Sequence, residues 1–169
     1  MKDTDSYKWY ALYTKARAEK KVNERLLGKH INVYLSLQKK LRQWKDRKKW
    51  VEEPLFRSYI FVNVSEKEYY DVLNTNGVVR YVTFSGKAAP IPERQITALK
   101  QLLESNYDFD VSTDYFQKGD HIKVVSGVLT GMEGELISFK GEKKVLIKID
   151  HINHHLIVNI PSAQLEPVK

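Results

Sequence analysis

The 169-residue sequence contains no cysteine, only five prolines and only eight glycines. Without cysteine there are no disulfides, thiolate zinc sites, iron–sulfur clusters or thiol nucleophile, and the composition suits a reducing compartment. No run approaches the ~20 apolar residues of a membrane span. The start, Met1 to Tyr10, mixes Lys2, Asp3, Asp5 and Lys8 with no apolar stretch behind them. These absences predict a soluble, cytoplasmic protein with no membrane partner. Acidic charge is scarce at one end. The first 50 residues carry 15 basic and 5 acidic side chains, a net +10, whereas the rest carry a net −3. Such a clustered positive field attracts phosphate better than scattered charges do, and the competing reading is a solvated basic face. At 42% hydrophobic residues the chain can build one ordinary domain or two small ones, which excludes wholesale disorder.

Lys8 to Thr14, Lys-Trp-Tyr-Ala-Leu-Tyr-Thr, reads as a buried strand, and Lys15 to Leu27 then takes a helical period. Ala18, Val22 and Leu26 share one face. Arg17, Lys21 and Arg25 form a basic stripe along its edge. Ile31 to Leu37 alternates as a half-buried strand, and Ser58 to Val64 is another, with Tyr59, Phe61 and Asn63 on one side and Ile60, Val62 and Val64 on the other. Ser65 and Glu68 form a capping-box signature for a short helix through Leu73, ended at Asn76-Gly77. Val78 to Phe84 predicts a strand, and Glu93 to Glu104 a helix with Ile96, Leu99, Leu102 and Leu103 inward. From Ser105 to Gln117 periodicity lapses, while Asp108, Asp110, Asp114, Tyr107, Phe109, Tyr115 and Phe116 gather in what reads as a linker. Beyond it, His121–Ser126, Glu135–Phe139, Lys144–Ile149, Leu156–Ile160 and an end near Gln164 suggest a small barrel. The expected fold class is α+β: an N-terminal domain over 1–105, a linker over 106–117 and an all-β domain over 118–169.

Gln38 to Trp50 holds seven basic groups, one Asp and two Trp, and reads as a projecting hairpin or loop. Lys39, Lys40, Arg42, Lys45, Arg47 and Lys48 with Trp44 and Trp50 combine cations with flat apolar rings, the pairing that suits nucleic acid. A flexible charged tip is the plainer alternative. Asp150, His151, His154 and His155 invite a metal reading, but alternation sends the adjacent His154 and His155 to opposite faces, unlike a convergent ligand set. No Ser-His-Asp order, phosphate-binding glycine loop or paired carboxylates stand out, so the expectation is no enzyme, no catalytic residue, no metal and no cofactor.

Two passages carry a family likeness. Trp9-Tyr10-Ala11-Leu12-Tyr13-Thr14-Lys15, joined by Glu53-Pro54-Leu55-Phe56-Arg57-Ser58-Tyr59-Ile60-Phe61-Val62, resembles the N-terminal (NGN) domain of the NusG family of transcription elongation factors. Gly119-Asp120-His121-Ile122-Lys123-Val124-Val125-Ser126-Gly127-Val128-Leu129-Thr130-Gly131-Met132-Glu133-Gly134 resembles a KOW motif, the signature of an SH3-like β-barrel. The Glu-Pro-Leu-Phe form and the basic insert look closest to the specialised RfaH-like antiterminators, including the Bacteroides polysaccharide-operon regulators. Arg57 departs from the Pro of many relatives, and Glu68, Tyr69 and Tyr70 stand near where RfaH-like members carry His-Thr-Thr-Thr.

The resemblance implies an NGN-like antiparallel sheet flanked by helices, then the KOW barrel, in a monomer. It implies that Tyr13, Phe56, Tyr59 and Phe61 line a patch docking on the clamp helices of the largest RNA polymerase subunit. It also implies that Lys15, Arg17, Lys21 and Arg25, with Thr75 and Asn76, meet non-template DNA in the transcription bubble. Upstream duplex or nascent RNA is the implied target of the basic insert, and Rho or a small-subunit ribosomal protein that of the KOW domain. The implied function is operon-specific antitermination that suppresses pausing or termination. A ribosome-associated RNA-binding KOW protein is the alternative. RfaH-like members can refold the last domain as a helical hairpin; here Val124, Val125, Val145, Ile147, Ile149, Ile157 and Val158 predict a constitutive β fold.

Overall fold

Lys8–Thr14 forms β1 because Ala11, Leu12 and Thr14 can all be buried, as a strand inside a sheet requires. In the computed structural model, which describes residues 6–114, 117 and 119–168, the chain divides into the units Met1–Ile91 and Pro92–Lys169. The first unit continues with α1 (Glu19–Gly28), β2 (Asn32–Tyr34), β3 (Leu37–Gln43), β4 (Lys48–Pro54), β5 (Tyr59–Val64), α2 (Tyr69–Leu73), β6 (Val78–Tyr81), β7 (Thr83–Phe84), β8 (Lys87–Ala88) and β9 (Pro90–Ile91). Its main sheet runs β2-β5-β1-β6, with β9 also paired to β1. The pairs Tyr13↔Tyr59, Leu12↔Ile60 and Ala11↔Phe61 fix its register. Leu12, Ile60, Val62 and Val64 therefore share a core with Val22 and Leu26 of α1 and Val72 of α2.

Three elements differ from expectation, each for a local reason. The first helix begins at Glu19 instead of Lys15, because Arg17 takes φ 61° and the Ala18 N–H closes a turn onto the Lys15 carbonyl at 3.1 Å. The strand expected through Leu37 stops at Tyr34. Ser36 is buried and its carbonyl accepts the Leu55 N–H at 2.8 Å, which pins the root of the β3/β4 hairpin. The strand expected over Val78–Phe84 breaks at Val82, whose N–H is taken by the Ala11 carbonyl at 2.9 Å. Thr83–Phe84 then turns through Ser85 and Gly86, both at positive φ, to pair with Lys87–Ala88. Only half of the expected capping box forms ahead of the short second helix. The Ser65 N–H donates to Glu68 Oε2 at 3.1 Å, but the helix begins at Tyr69 with Glu68 in the capping position, and the Ser65 hydroxyl turns to the Glu68 carboxylate at 3.4 Å instead of taking a helix N–H.

In the second unit α3 spans Glu93–Glu104, as the periodicity predicts, with Ile96, Leu99 and Leu102 buried and Leu103 half-buried. The helix lies in this unit, beyond Ile91, whereas the sequence places a boundary after residue 105. Its Gln95 side chain accepts the Asp150 N–H at 2.9 Å. There follow β10 (Phe109–Ser112), β11 (His121–Val124), β12 (Glu133–Phe139), β13 (Glu142–Lys148), β14 (His155–Val158) and β15 (Leu165–Pro167). All join one antiparallel sheet in the order β10-β14-β13-β12-β11-β15. The domain is β-rich as expected, with Val124, Val145, Ile147, Ile149, Ile157 and Val158 buried and Val125 exposed. Among the described residues no pairing joins β10 to β15, so the sheet is not closed into a barrel. β10 falls inside the stretch read as a linker: Phe109↔Val158 through Ser112↔His155 pair it along one edge with β14. Tyr115 and Phe116 of that stretch lie outside the described residues.

Candidate functional site

The main sheet of the first unit has two chemically different faces. One is aliphatic at its centre, with Tyr10 and Tyr81 alongside, and packs on both helices of the unit. The other is aromatic. The alternation that sends Ile60 and Val62 to the helices sends Tyr59 and Phe61 the opposite way, beside Trp9, Ala11 and Tyr13 of β1 and Tyr34 of β2. Tyr13 and Tyr59 stack tilted with centroids 4.8 Å apart, and their hydroxyls hydrogen-bond at 3.1 Å. Phe61 meets Phe56 edge-on and Tyr34 face-on, each with centroids 6.3 Å apart. Arg80 of β6 lays its guanidinium 4.6 Å from the Tyr13 ring centre. The four candidate docking residues thus come together. They do not form an open patch, however: Phe56, Tyr59 and Phe61 are buried and Tyr13 is half-buried. Trp9, Tyr34 and Arg80 belong to the same face and were not singled out from the sequence. The period-2 pairing of β1 with β5 was the signal that could have found Trp9.

The basic edge is partly rearranged. Lys21 and Arg25 lie on α1, whereas Lys15 and Arg17 lie in the turn before it; all four are exposed. The loop at Thr75–Gly77 is fastened to this helix. Arg25 Nη1 donates to the Asn76 carbonyl at 2.8 Å, and the Lys15 N–H donates to the Gly77 carbonyl at 2.8 Å. Asn76 is exposed beside the cations, but Thr75 is not available to a ligand. Its side chain is buried, donates to the Asp71 carbonyl at 2.8 Å and accepts from Lys29 Nζ at 3.0 Å. Thr75 therefore closes the end of α2, as a hydroxyl beside unsatisfied helix carbonyls tends to do. Lys29, which the sequence pattern did not select, bridges the two elements.

The basic insert is an antiparallel hairpin. Seven pairs run from Leu37↔Pro54 to Gln43↔Lys48, and the Trp44 N–H closes the tip onto the Arg47 carbonyl at 2.8 Å. Lys39, Lys40, Arg42, Lys45, Arg47, Lys48, Trp44 and Trp50 are all exposed, as is Lys49. Arg47 covers the Trp44 ring at 5.2 Å. Arg42 Nε donates to Glu53 Oε1 at 2.8 Å, and that hydrogen bond holds the Glu53 carboxyl below its ordinary pKa. In the second unit, burial pushes the His154 and His155 pKa values down, His154 further by its neighbour His155 and His155 by Lys148. Among the described residues no three His, Cys, Asp or Glu side chains converge on a metal position.

Comparison with known proteins gives this arrangement a family. The model of the family described as "Transcription termination factor nusG" matches residues 7–100. Proteins named transcription termination/antitermination protein NusG from Streptococcus pyogenes serotypes M3 and M1 are each 27% identical over 162 residues, spanning 87% of this chain and 89% of their own. A solved structure titled "Domain interaction in Thermotoga maritima NusG" aligns over 96% of this chain and 98% of its own at 21% identity, with a TM-score of 0.58, which is a likeness of fold. Because the matched region takes in the whole first sheet, both its faces and the basic hairpin, this chain belongs to the NusG family.

Proposed function

We propose that the protein is a transcription termination/antitermination factor of the operon-specific kind. It acts by binding elongating RNA polymerase and the displaced DNA strand, with no covalent chemistry and no cofactor. The aromatic face of the first sheet, with Tyr13, Phe56, Tyr59 and Phe61, takes the clamp helices of the largest polymerase subunit. Lys15, Arg17, Lys21, Arg25 and Asn76 hold non-template DNA, the cations on phosphate and the amide on a base edge. The basic hairpin adds a second nucleic-acid surface. The β-rich unit recruits a further partner, Rho or a small-subunit ribosomal protein. Binding suppresses pausing by favouring the active polymerase state over the paused one, so its effect is bounded by the difference in affinity for the two.

One observation carries this reading: within a single small unit, an aromatic sheet face adjoins an edge of exposed cations. Aromatic anchors dominate protein interfaces, and clustered cations follow phosphates. The rings are buried, so docking is coupled to a rearrangement that exposes them. The test is transcription in vitro on a pausing template with purified polymerase, comparing the wild type with Tyr13→Ala plus Tyr59→Ala and monitoring the fold by circular dichroism. A folded double variant that no longer shortens pauses supports the docking face. Undiminished activity removes that face from the mechanism.

A further inference from the structure

The register of the basic hairpin sorts its cations onto one side. Directly paired residues share a face, so Lys40 with Val51, Arg42 with Lys49, and Trp44 with Arg47 beyond them project together with Glu53. The opposite face carries Lys39 with Glu52, Leu41 with Trp50, and Gln43 with Lys48. One side thus has four cations, one carboxylate already engaged by Arg42, and a Trp that is 45% exposed under the Arg47 guanidinium. The other has two cations and an exposed Leu–Trp pair, Leu41 at 49% and Trp50 at 66%. The clustering of basic residues in sequence conceals this division, and Lys49 falls on the richer side.

That richer side leads into a cleft of about 570 Å³ at the hairpin root, where Arg42, Glu53 and Arg57 face Arg17, Glu19 and Lys20 at the start of α1. Glu19 is buried and occupied by the Ser58 N–H at 2.8 Å, and Glu53 by Arg42. Of the three carboxylates lining the cleft, two are therefore tied to the protein and Glu52 is exposed; the four cations Arg17, Lys20, Arg42 and Arg57 outnumber it and form a bridge between the helix edge and the hairpin.

We propose that a single strand of DNA runs from the α1 edge through this cleft onto the Lys40, Arg42, Arg47 and Lys49 face, with a base stacked on Trp44, and that the Leu41/Trp50 face takes no part in holding it. The proposal rests on the reading that the α1 edge binds displaced DNA. Single-stranded DNA fits because its backbone can follow cations along a bent path while its unpaired bases reach a flat ring; a duplex keeps its bases stacked away from Trp44.

The test measures binding of the full chain to a fluorescent single-stranded DNA oligonucleotide of roughly 20 nucleotides by anisotropy across a salt series. Lys40→Glu plus Lys49→Glu is compared with Lys39→Glu plus Lys48→Glu, an identical charge change on the other face. The first pair weakens binding by at least tenfold and flattens the log K against log salt slope by about 1.4, the share of two phosphate contacts to a single strand. The second stays within about twofold. Trp44→Ala weakens binding roughly fivefold or more and Trp50→Ala does not, as loss of one stacked base requires. Equal losses from both charge pairs overturn the sorting of faces. Loss with Lys21→Glu plus Arg25→Glu but not with Lys40→Glu plus Lys49→Glu overturns the hairpin track and leaves the α1 reading standing. The reverse pattern overturns both. Preference for an annealed duplex, or for RNA of the same sequence, refutes the assignment of the strand.

Discussion

Gly77 is where the loop bearing Asn76 presses on α1, and replacing it with alanine tests that packing. Its φ is +95°, and an added Cβ falls 2.7 Å from Val22 Cγ2 and 3.5 Å from Ala18 Cβ. Two costs combine. Holding an alanine in the left-handed region costs about 1–2 kcal/mol. Forcing a methyl against the buried Val22, which is fully enclosed in the core, costs a further ~1–3 kcal/mol. A total of about 2–5 kcal/mol, at roughly 2–4 °C per kcal/mol for a chain of this size, lowers Tm by on the order of 4–20 °C. Urea and thermal unfolding followed by circular dichroism measure it. Gly86→Ala is the control, because Gly86 has φ +78° with nothing within 4 Å of the new Cβ, so it bears the conformational cost alone. Val22→Ala removes the clashing methyl, so the double variant with Gly77→Ala should be more stable than the sum of the singles by about 1 kcal/mol or more. If Gly77→Ala costs no more than Gly86→Ala, or if its cost simply adds to that of Val22→Ala, the loop does not press on α1 as described.

Thr75→Val removes the hydroxyl shared by Asp71 and Lys29 and should destabilise by about 1–3 kcal/mol while leaving single-stranded DNA affinity unchanged; lost affinity at unaltered Tm would return Thr75 to the interface. Glu68→Ala removes the carboxylate that accepts the Ser65 N–H ahead of α2 and should cost about 0.5–1.5 kcal/mol in urea unfolding, a cost that Glu68→Gln recovers in part. His154 and His155 have depressed pKa values when folded, so below their ordinary value of 6.5 the unfolded chain takes up protons more readily than the native one. Stability is then fully present above pH 6.5 and falls as the pH drops through and below it; a Tm series from pH 7.5 to 5 should show the fall, and His154→Gln plus His155→Gln should flatten it.

Much of this was legible in the sequence, because the signals concerned were periodic. The alternation in Tyr59–Val64 gave both faces of β5, and the Ile96, Leu99, Leu102 spacing placed α3 from Glu93 to Glu104. What escaped was decided by single backbone events or by long-range pairing. Nothing in the composition of Lys15–Ala18 announces that Arg17 adopts positive φ and delays the helix, since arginine rarely does so. Phe109–Ser112 does alternate, but four residues set among Asp108 and Asp114 are too short a run to stand out, and the strand is established by its pairing with β14. Thr75 and Asn76 are adjacent polar turn residues with opposite fates, one buried under Lys29 and one exposed, and only the approach of α1 distinguishes them. The hairpin was legible as cationic, but its two-sidedness required the register.

Burial of the aromatic face has a kinetic consequence. If polymerase grips Tyr59 and Phe61 only after they are exposed, its apparent affinity is the intrinsic one scaled by the exposed fraction. An exposed fraction of about 1% weakens binding roughly a hundredfold, and whatever raises that fraction strengthens binding without any new contact. Exposure must then precede or accompany docking. With polymerase in excess, the observed association rate should rise with its concentration and level off at the rate at which the rings are uncovered. Conditions that speed uncovering should lift the plateau and leave the initial slope less affected. Stopped-flow measurement with a fluorophore on the exposed hairpin tip, far from the rings in sequence, gives the curve. A rate that climbs linearly into the diffusion-limited range would mean that polymerase meets a surface already open, and would move its docking site away from the Tyr59–Phe61 face.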